Sequence, residues 1–221
     1  MGKKDKKTFD GSGFSVWQIM DSANAYYELS RAVFGGRLPT THKHLPERLD
    51  LIAPCATNRI LALELYLKAT LIACKTRVPQ THDLKDLFDA LHEKMHDQIK
   101  THFDRRVKET ARGDVPDEMS IYFSPWNTQM ETSDLDEADR RGVRSDATLT
   151  GLLVRNRHGF VASRYLFQEI KPGKVSTFSY EFKRLAILCS VLCEGLENVL
   201  SDKQPGYKRH FHFLGNEDGW D

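Results

Sequence analysis

The sequence predicts an all-α protein built from about five helices. Three observations support this fold class. Apolar residues recur every three or four positions over several long stretches, which is the spacing of a helix face. Paired glycines, or a proline followed by glycine, end these stretches, and no segment shows the alternation of apolar and polar residues that is typical of strands. At 221 residues, one sizeable domain with tails is the expected organisation.

The N-terminal region contains the first predicted helix. Residues 1–12 are rich in lysine and polar side chains, and we expect a disordered basic tail there. From Phe14 to about Phe34 the chain reads FSVWQIMDSANAYYELSRAVF, in which aromatic and aliphatic residues recur at loose helical spacing. Gly35 and Gly36 end this helix, and a loop leads to the next one.

The second predicted helix runs from about Pro54 to Lys75 and is apolar on nearly all sides, as a central helix is. Proline suits its first turn. Glu64 and Lys68 interrupt the apolar run and stand four residues apart, a spacing that favours an ion pair on a helix. Two interpretations of this pair stay open. It lies on the one stripe of the helix that is not buried, or it lines a polar groove with a later helix.

A third helix is predicted after the turn KTRVPQ. Thr81 is its expected N-cap, and Asp83 lies in its positive first turn. The apolar residues that follow have the spacing of one amphipathic face: Leu84, Leu87, Phe88, Leu91 and Met95. We interpret His82 as an exposed residue of the first turn or as part of a hydrogen-bond network in the turn.

The C-terminal half combines an irregular stretch with further helices. Residues 111–147 show weak periodicity and many turn residues, so we expect an irregular excursion there, after which helicity resumes. The last long helix is predicted from about Thr177 to Leu200, with a bundle-type seam at Phe178, Phe182, Leu185, Cys189, Leu192, Leu196 and Val199. The helical domain therefore spans residues 13–200, and residues 201–221 form a short tail.

Composition limits the classes of function. The net charge is +1, so any surface for an anionic partner has to be local. The charged N-terminus is not followed by an apolar run of the signal-peptide type, and charges interrupt every apolar stretch before the length of a membrane span. We therefore expect a cytoplasmic protein without a membrane partner. The four cysteines form no CxxC pair and lack a histidine at ligand spacing, so we expect buried reduced thiols, no metal and no cofactor.

Two segments together resemble the signature of the HEPN (higher-eukaryote and prokaryote nucleotide-binding) domain. The first is LALELYLKATLIACKTRVPQTHDLKDLF, in which an acidic residue and a YLKA-like step precede a short turn and a THDL helix start. The second is GFVASRYLFQE, an aromatic RY pair with an acidic residue soon after. The resemblance extends over about residues 14–200. It implies an up-and-down helical bundle of HEPN type, commonly a homodimer.

The resemblance leaves three functions open. The family includes metal-independent ribonucleases of toxin or defence type, often encoded beside a minimal nucleotidyltransferase, and inactive modules that bind RNA, nucleotides or proteins. The leading expectation is a protein that binds RNA or nucleotide as a dimer, without a clear catalytic motif. The alternatives are a metal-independent endoribonuclease and a non-enzymatic protein-interaction module. A nucleotidyltransferase-type protein is the candidate partner.

Catalytic candidates come from the family's motif, in which an arginine is followed after four to six residues by a histidine on a late helix. A histidine can transfer the proton of a 2′-hydroxyl or of a leaving oxygen, and an arginine can stabilise charge that develops on phosphorus. The matching segment here reads RNRHGF, and its candidates are Arg155, Arg157 and His158. Their spacing is shorter than in the family's motif.

Further residues are candidates for contacts with RNA or nucleotide. Arg164, Tyr165 and Glu169 belong to the second family segment, and Glu64 and Lys68 belong to the first. The basic residues of the RNRHGF segment form, with Arg164, the densest basic cluster outside the N-terminal tail, and such a cluster suits phosphate contacts. The alternatives are a solvated helix face and a buried network in which Arg164 and Glu169 tie helices together.

Overall fold

A computed structural model of the chain describes residues 7–32, 52–110, 119–123, 148–157, 159 and 176–203. The described residues are mostly helical, which confirms the predicted fold class. They contain six α-helices: α1 Val16–Ala32, α2 Ile52–Ala73, α3 Leu84–Asp89, α4 Glu93–Thr110, α5 Leu149–Arg155 and α6 Phe182–Lys203. They also contain two antiparallel pairs of strands: β1 Thr8–Phe9 with β2 Val78–Pro79, and β3 Met119–Phe123 with β4 Ser176–Tyr180.

Helix α2 lies in the core and contacts both α1 and α6. Its buried residues occur on nearly all sides, as expected for an apolar helix enclosed by neighbours, and they include Leu63, Leu67 and Leu71. The seam predicted for the last helix is also buried in α6 from its first residue onward, at Phe182, Leu185, Cys189, Leu192 and Leu196. These faces are the main source of the hydrophobic stabilisation of the described part.

The structure corrects the prediction at both ends of the domain. Residues 7–12 of the tail predicted to be disordered are described, and Thr8 and Phe9 pair with Val78 and Pro79, whereas residues 1–6 lie outside the described residues. The last helix begins at Phe182 rather than at Thr177. The segment STFSY before it is instead a strand that pairs with Met119–Phe123, inside the predicted irregular excursion. Aromatic and β-branched residues favour strand structure, and this pairing partner is distant in the sequence.

The single helix predicted from Thr81 is two helices in the structure, α3 and α4. The N-cap is Asp83 and not Thr81, because the Asp83 carboxylate accepts the amides of Lys85 and Asp86. Helix α3 ends after Asp89, where the His96 ring donates from Nε2 to the Phe88 carbonyl oxygen at 2.7 Å. The predicted apolar face is nevertheless buried in α3 and in the break, at Leu84, Leu87, Phe88 and Leu91, and Met95 of α4 is partly buried against the core. The apolar spacing therefore predicted correctly which residues pack into the core, but it wrongly predicted one continuous helix.

None of the four cysteines forms a disulfide, but only three of them are buried. Cys74 is exposed, which contradicts the expectation that every thiol is buried. Among the helices that the structure describes, none combines the length and the apolar character that crossing a membrane requires.

Candidate functional site

A buried carboxylate on α2 holds two basic side chains at the surface. Glu64 is almost fully buried, and its Oε1 accepts Lys68 Nζ at 2.6 Å. His82 Nδ1 lies 3.0 Å from each oxygen of the same carboxylate, while 63% of the His82 side chain is exposed. Because a carboxylate only accepts hydrogen bonds, Nδ1 is the nitrogen that donates. Glu64 therefore orients an exposed imidazole from below.

Asp83, which follows His82 in the chain, holds a third basic side chain, that of Arg157. Asp83 is buried, and its Oδ1 caps α3 by accepting the amides of Lys85 and Asp86. Its Oδ2 accepts Arg157 Nε at 2.9 Å and Arg157 Nη2 at 2.6 Å. Burial acts to raise the pKa of the Asp83 carboxyl, but Arg157 and the two amides outweigh it, so this pKa lies below its ordinary value.

The end of helix α5 places Arg157 beside this cap. The N-cap of this helix is Thr148, whose hydroxyl oxygen accepts a hydrogen bond from the amide of Gly151 at 3.1 Å. After the helix ends at Arg155, the Arg157 carbonyl oxygen accepts the amide of Leu84 at 3.3 Å. The end of α5 is thus joined to the start of α3 through the backbone as well as through the side chains.

A third buried carboxylate lies at the start of α6. Glu181 accepts Arg155 through two hydrogen bonds, from Nε at 2.9 Å and from Nη2 at 2.6 Å. It also accepts Asn156 Nδ2 and Arg184 Nη1, each at 3.3 Å. Two parallel donors on one carboxylate fix the plane of a guanidinium, so Arg155 has a defined orientation.

These residues form one continuous arrangement, called here the ionic surface: Glu64, Lys68, His82, Asp83, Arg155, Arg157, Glu181 and Arg184. The three acids are buried, with side chains 3%, 6% and 8% exposed, and the bases lie over them toward solvent. The negative charge is therefore below the surface and the positive charge is on it. An arrangement of this kind suits an anionic ligand such as a phosphate group.

The structure brings together half of the predicted site residues. Arg155, Arg157, Glu64 and Lys68 all belong to the ionic surface. The predicted pair of Glu64 with Lys68 is confirmed, but Glu64 is buried and does not lie on an exposed stripe. The other predicted residues lie outside the described parts of the chain: His158, Arg164, Tyr165 and Glu169.

Sequence reasoning missed Asp83 and Glu181 as parts of the site, and it left His82 as an ordinary turn residue. Asp83 carried a signal, because aspartate before an apolar helical run is a preferred N-cap. Glu181 carried none, because the predicted helix enclosed it. Within the described residues, no group of three or more histidine, cysteine or acidic side chains is placed to hold a metal ion.

Comparison of the chain with protein-family models, with curated proteins and with solved structures found no match. The chemistry of the ionic surface is therefore the basis on which a function can be inferred. That chemistry consists of oriented cations, one exposed imidazole held by a carboxylate, and buried acids whose oxygens are engaged by those bases.

Proposed function

We propose that this chain is a HEPN-type protein that binds RNA or a nucleotide through the phosphate groups, using the ionic surface. The single observation that carries the proposal is the burial of Glu64, Asp83 and Glu181 beneath basic side chains. Each acid holds at least one base in a fixed position before a ligand arrives.

Pre-organisation is what makes this arrangement suited to phosphate. A flexible lysine or arginine loses side-chain entropy when it binds an anion, and a base already held in place loses less. Asp83 engages Nε and Nη2 of Arg157, so the donors on Nη1 are not used by that carboxylate. An arginine has five N–H donors, and one guanidinium can therefore contact a buried acid and a phosphate together.

The resemblance to the HEPN domain supports the same proposal. The THDL step contains His82 and Asp83, and the YLKA-like step contains Lys68, which follows Glu64 by one helical turn. We interpret the first family segment as the source of two neighbouring acids of the ionic surface: Glu64, which precedes the YLKA-like step, and Asp83 of the THDL step. A homodimer and a nucleotidyltransferase-type partner belong to the same proposal.

The proposal is tested by the affinity for a fluorescein-labelled single-stranded RNA, measured by anisotropy in EDTA at several salt concentrations. The variant Arg155→Ala with Arg157→Ala removes two bases of the ionic surface. The matched control, Arg105→Ala with Arg106→Ala, removes two arginines of α4 that pair with exposed acids. We expect the first variant to bind RNA at least about tenfold more weakly. The slope of log affinity against log salt concentration should become shallower by about two.

Two outcomes contradict this proposal. Equal losses in the two double variants mean that binding depends on overall charge and not on the ionic surface. No binding by the wild type, in a preparation that unfolds cooperatively, removes RNA from the list of ligands, and ATP and GTP are then the nucleotide probes to compare in the same variants.

One observation favours a second candidate, a metal-independent ribonuclease. The buried Glu64 carboxylate orients the exposed His82 ring and fixes its donor nitrogen, as the orienting group of a catalytic histidine does. His82 Nε2 would then take the proton of a 2′-hydroxyl as the 2′-oxygen bonds to phosphorus. The resulting imidazolium would give that proton to the 5′-oxygen as its bond to phosphorus breaks, and Arg157 would stabilise the charge on the phosphate. Proton transfer by imidazole needs no metal, so activity in EDTA is expected. His158 remains the candidate from the family's motif.

The cleavage test compares the wild type with His82→Ala and His158→Ala on structured and single-stranded RNA in EDTA. In this account His82→Ala lowers the cleavage rate by about a hundredfold or more. Glu64→Gln lowers it less, because the ring remains but loses its charged partner. If only His158→Ala loses cleavage, the catalytic histidine is His158 of the family's motif and not His82. If folded wild type does not cleave RNA, the ribonuclease candidate is wrong and binding is the proposed function.

A further inference from the structure

A fully buried guanidinium contacts Phe182, the residue that follows Glu181 of the ionic surface. Arg59 on α2 is 1% exposed, and its Cζ lies 5.6 Å from the ring centroid of Tyr27 and 5.6 Å from that of Phe182. Its Nε donates to Ser30 Oγ at 3.1 Å, and its Nη1 donates to the Phe182 carbonyl oxygen at 2.9 Å. One arginine thus connects α1, α2 and the first residue of α6.

Among the described residues, no ionised acid neutralises the charge of Arg59. The acidic groups around it are two phenols and two thiols, those of Tyr27, Tyr180, Cys55 and Cys189. Burial raises the pKa of Cys55 to about 11 and raises the pKa of the other three as well, so all four are neutral at physiological pH. Within the described parts of the chain, no carboxylate forms an ion pair with Arg59.

Stability alone does not account for such a residue. Removing a guanidinium from water is unfavourable, and apolar side chains of similar volume often replace buried charges without loss of stability. Aromatic rings on two sides offset part of this cost through cation–π attraction. What an apolar replacement could not supply is the hydrogen bond to the Phe182 carbonyl oxygen.

That carbonyl group lies at the junction between β4 and α6, one residue after Glu181. The junction turns the chain from a strand into a helix at Glu181, and the carboxylate of Glu181 fixes Arg155. The position of Arg155 at the surface therefore depends on how rigidly this junction is held. Arg59 contacts the junction from inside through a hydrogen bond and through the Phe182 ring.

We propose that Arg59 is a positioning residue for the ionic surface, which fixes the β4–α6 junction so that Glu181 holds Arg155 ready for a phosphate group. The functional part of this inference rests on the proposed binding of RNA or nucleotide. Arg59 itself does not touch the ligand, and it acts on Arg155 while leaving the Asp83–Arg157 half of the surface unaffected.

The claim that Arg59 fixes the position of Arg155 is tested without any ligand, by NMR of the arginine side chains. The exchange rate of the Nε–H proton with solvent is measured for Arg155 and for Arg157, with assignments from Arg155→Lys and Arg157→Lys. Arg59→Met should raise the Arg155 rate about tenfold and leave the Arg157 rate unchanged. Arg31→Met is the matched control, because Arg31 lies 6.0 Å from the same Tyr27 ring but pairs with surface Glu28.

Two results overturn the proposal: no change at Arg155, or equal acceleration at Arg155 and Arg157, which is the mark of general destabilisation. If Arg59→Met does not fold, Ser30→Ala removes only one acceptor of Arg59, and it should produce the same selective change at a smaller size. Equal rates in the Ser30→Ala variant and the wild type then contradict the proposal.

Affinity for labelled RNA tests the functional part. Arg59→Met should weaken binding about threefold in the wild-type background, no more than Arg155→Ala does, and have no further effect in Arg155→Ala. Lys68 lies outside this coupling, so the fold-losses in RNA affinity from Arg59→Met and Lys68→Ala should multiply in the double variant. If the double variant Arg59→Met, Arg155→Ala loses the product of the two single fold-losses in RNA affinity, Arg59 does not act through Arg155 and the proposal is contradicted. If wild type does not bind RNA, the proposed function fails while the proton-exchange result still decides whether Arg59 positions Arg155.

Discussion

Ion pairs between an acid and a nearby base occur in two regions of this protein. The acid is exposed in one region and buried in the other. On α1, α3, α4 and α6 the acids Glu28, Asp89, Glu109 and Glu194 pair with nearby bases, and each is at least half exposed. In the ionic surface the acids Glu64, Asp83 and Glu181 are less than a tenth exposed. Contact distances are similar, since Arg106 lies 2.7 Å from Glu194 and Arg155 lies 2.6 Å from Glu181.

Contact distance alone therefore does not identify a functional ion pair. An exposed acid is well solvated, so its base is held weakly and contributes little to stability. A buried acid has lost its water and depends on its bases, which it therefore holds in one geometry. In this protein all three buried acids of the described ion pairs lie in the ionic surface, which is why that region is the candidate site.

The largest effect on stability is expected at Glu181. Glu181→Ala leaves Arg155 and Arg184 without their shared carboxylate, and we expect the free energy of unfolding to fall by about 2 kcal/mol, less than for a fully buried pair because both arginines are partly exposed. Glu194→Ala, which removes an exposed acid of α6, should change the free energy of unfolding by about 0.5 kcal/mol at most. Urea denaturation of both variants checks this contrast, and similar losses would contradict the role given to burial.

Asp83 is expected to have the next largest effect. Asp83→Ala removes the N-cap of α3 together with the partner of Arg157, and the free energy of unfolding should fall by about 1.5 kcal/mol. The control is Asp89→Ala at the other end of the same helix, where the acid is exposed and pairs with Lys85. Thermal unfolding measures both. The comparison fails if Asp89→Ala is as destabilising as Asp83→Ala.

The pH dependence of stability isolates the charge of Asp83. Since the pKa of this carboxyl is lowered in the folded protein, its stabilising contribution is complete above its unfolded pKa of about 3.9 and is lost as pH falls through the lower folded pKa. Asp83→Asn keeps a capping side chain but not the charge. The difference in unfolding free energy between wild type and Asp83→Asn should therefore be largest at neutral pH and shrink below about pH 4. A difference that grows on acidification has the wrong sign for this account.

The smallest effect is expected at the exposed pair on α4. Glu109 lies 3.9 Å from Arg105, and both side chains are more than half exposed. Glu109→Gln should leave the free energy of unfolding within about 0.3 kcal/mol of the wild type. Urea denaturation at low and at moderate salt checks this, and a loss comparable with that of Asp83→Ala would remove the distinction between the two regions.

The sequence predicted most of the fold because the signals were local. The apolar spacing of α2 and of α6 from Phe182 onward identified buried faces without any knowledge of the neighbours. The pairing of Ser176–Tyr180 with Met119–Phe123 could not be predicted in this way, because it joins segments about fifty residues apart along the chain. The break between α3 and α4 also depends on a side-chain contact, that of His96 with the Phe88 carbonyl oxygen.

The candidate site was predicted in part for the same reason. Arg155 and Arg157 belong to a visible basic cluster, and the spacing of Glu64 and Lys68 predicts their ion pair. Burial of Glu64 under His82 requires the turn after α2 to fold back along that helix. Glu181 becomes part of the site only because the strand before it displaces the start of α6. Both features are tertiary, and no residue spacing indicates them.

The most direct test of the account is the RNA affinity of Glu181→Gln, compared with Glu194→Gln. Each variant removes one negative charge, so a surface that works by net charge alone would bind RNA more tightly in both cases. Our account predicts weaker binding by Glu181→Gln, by about threefold or more, because Arg155 loses the carboxylate that orients it. It predicts unchanged or tighter binding by Glu194→Gln. Tighter binding by Glu181→Gln, in a folded preparation, would contradict the claim that buried acids prepare this surface for phosphate.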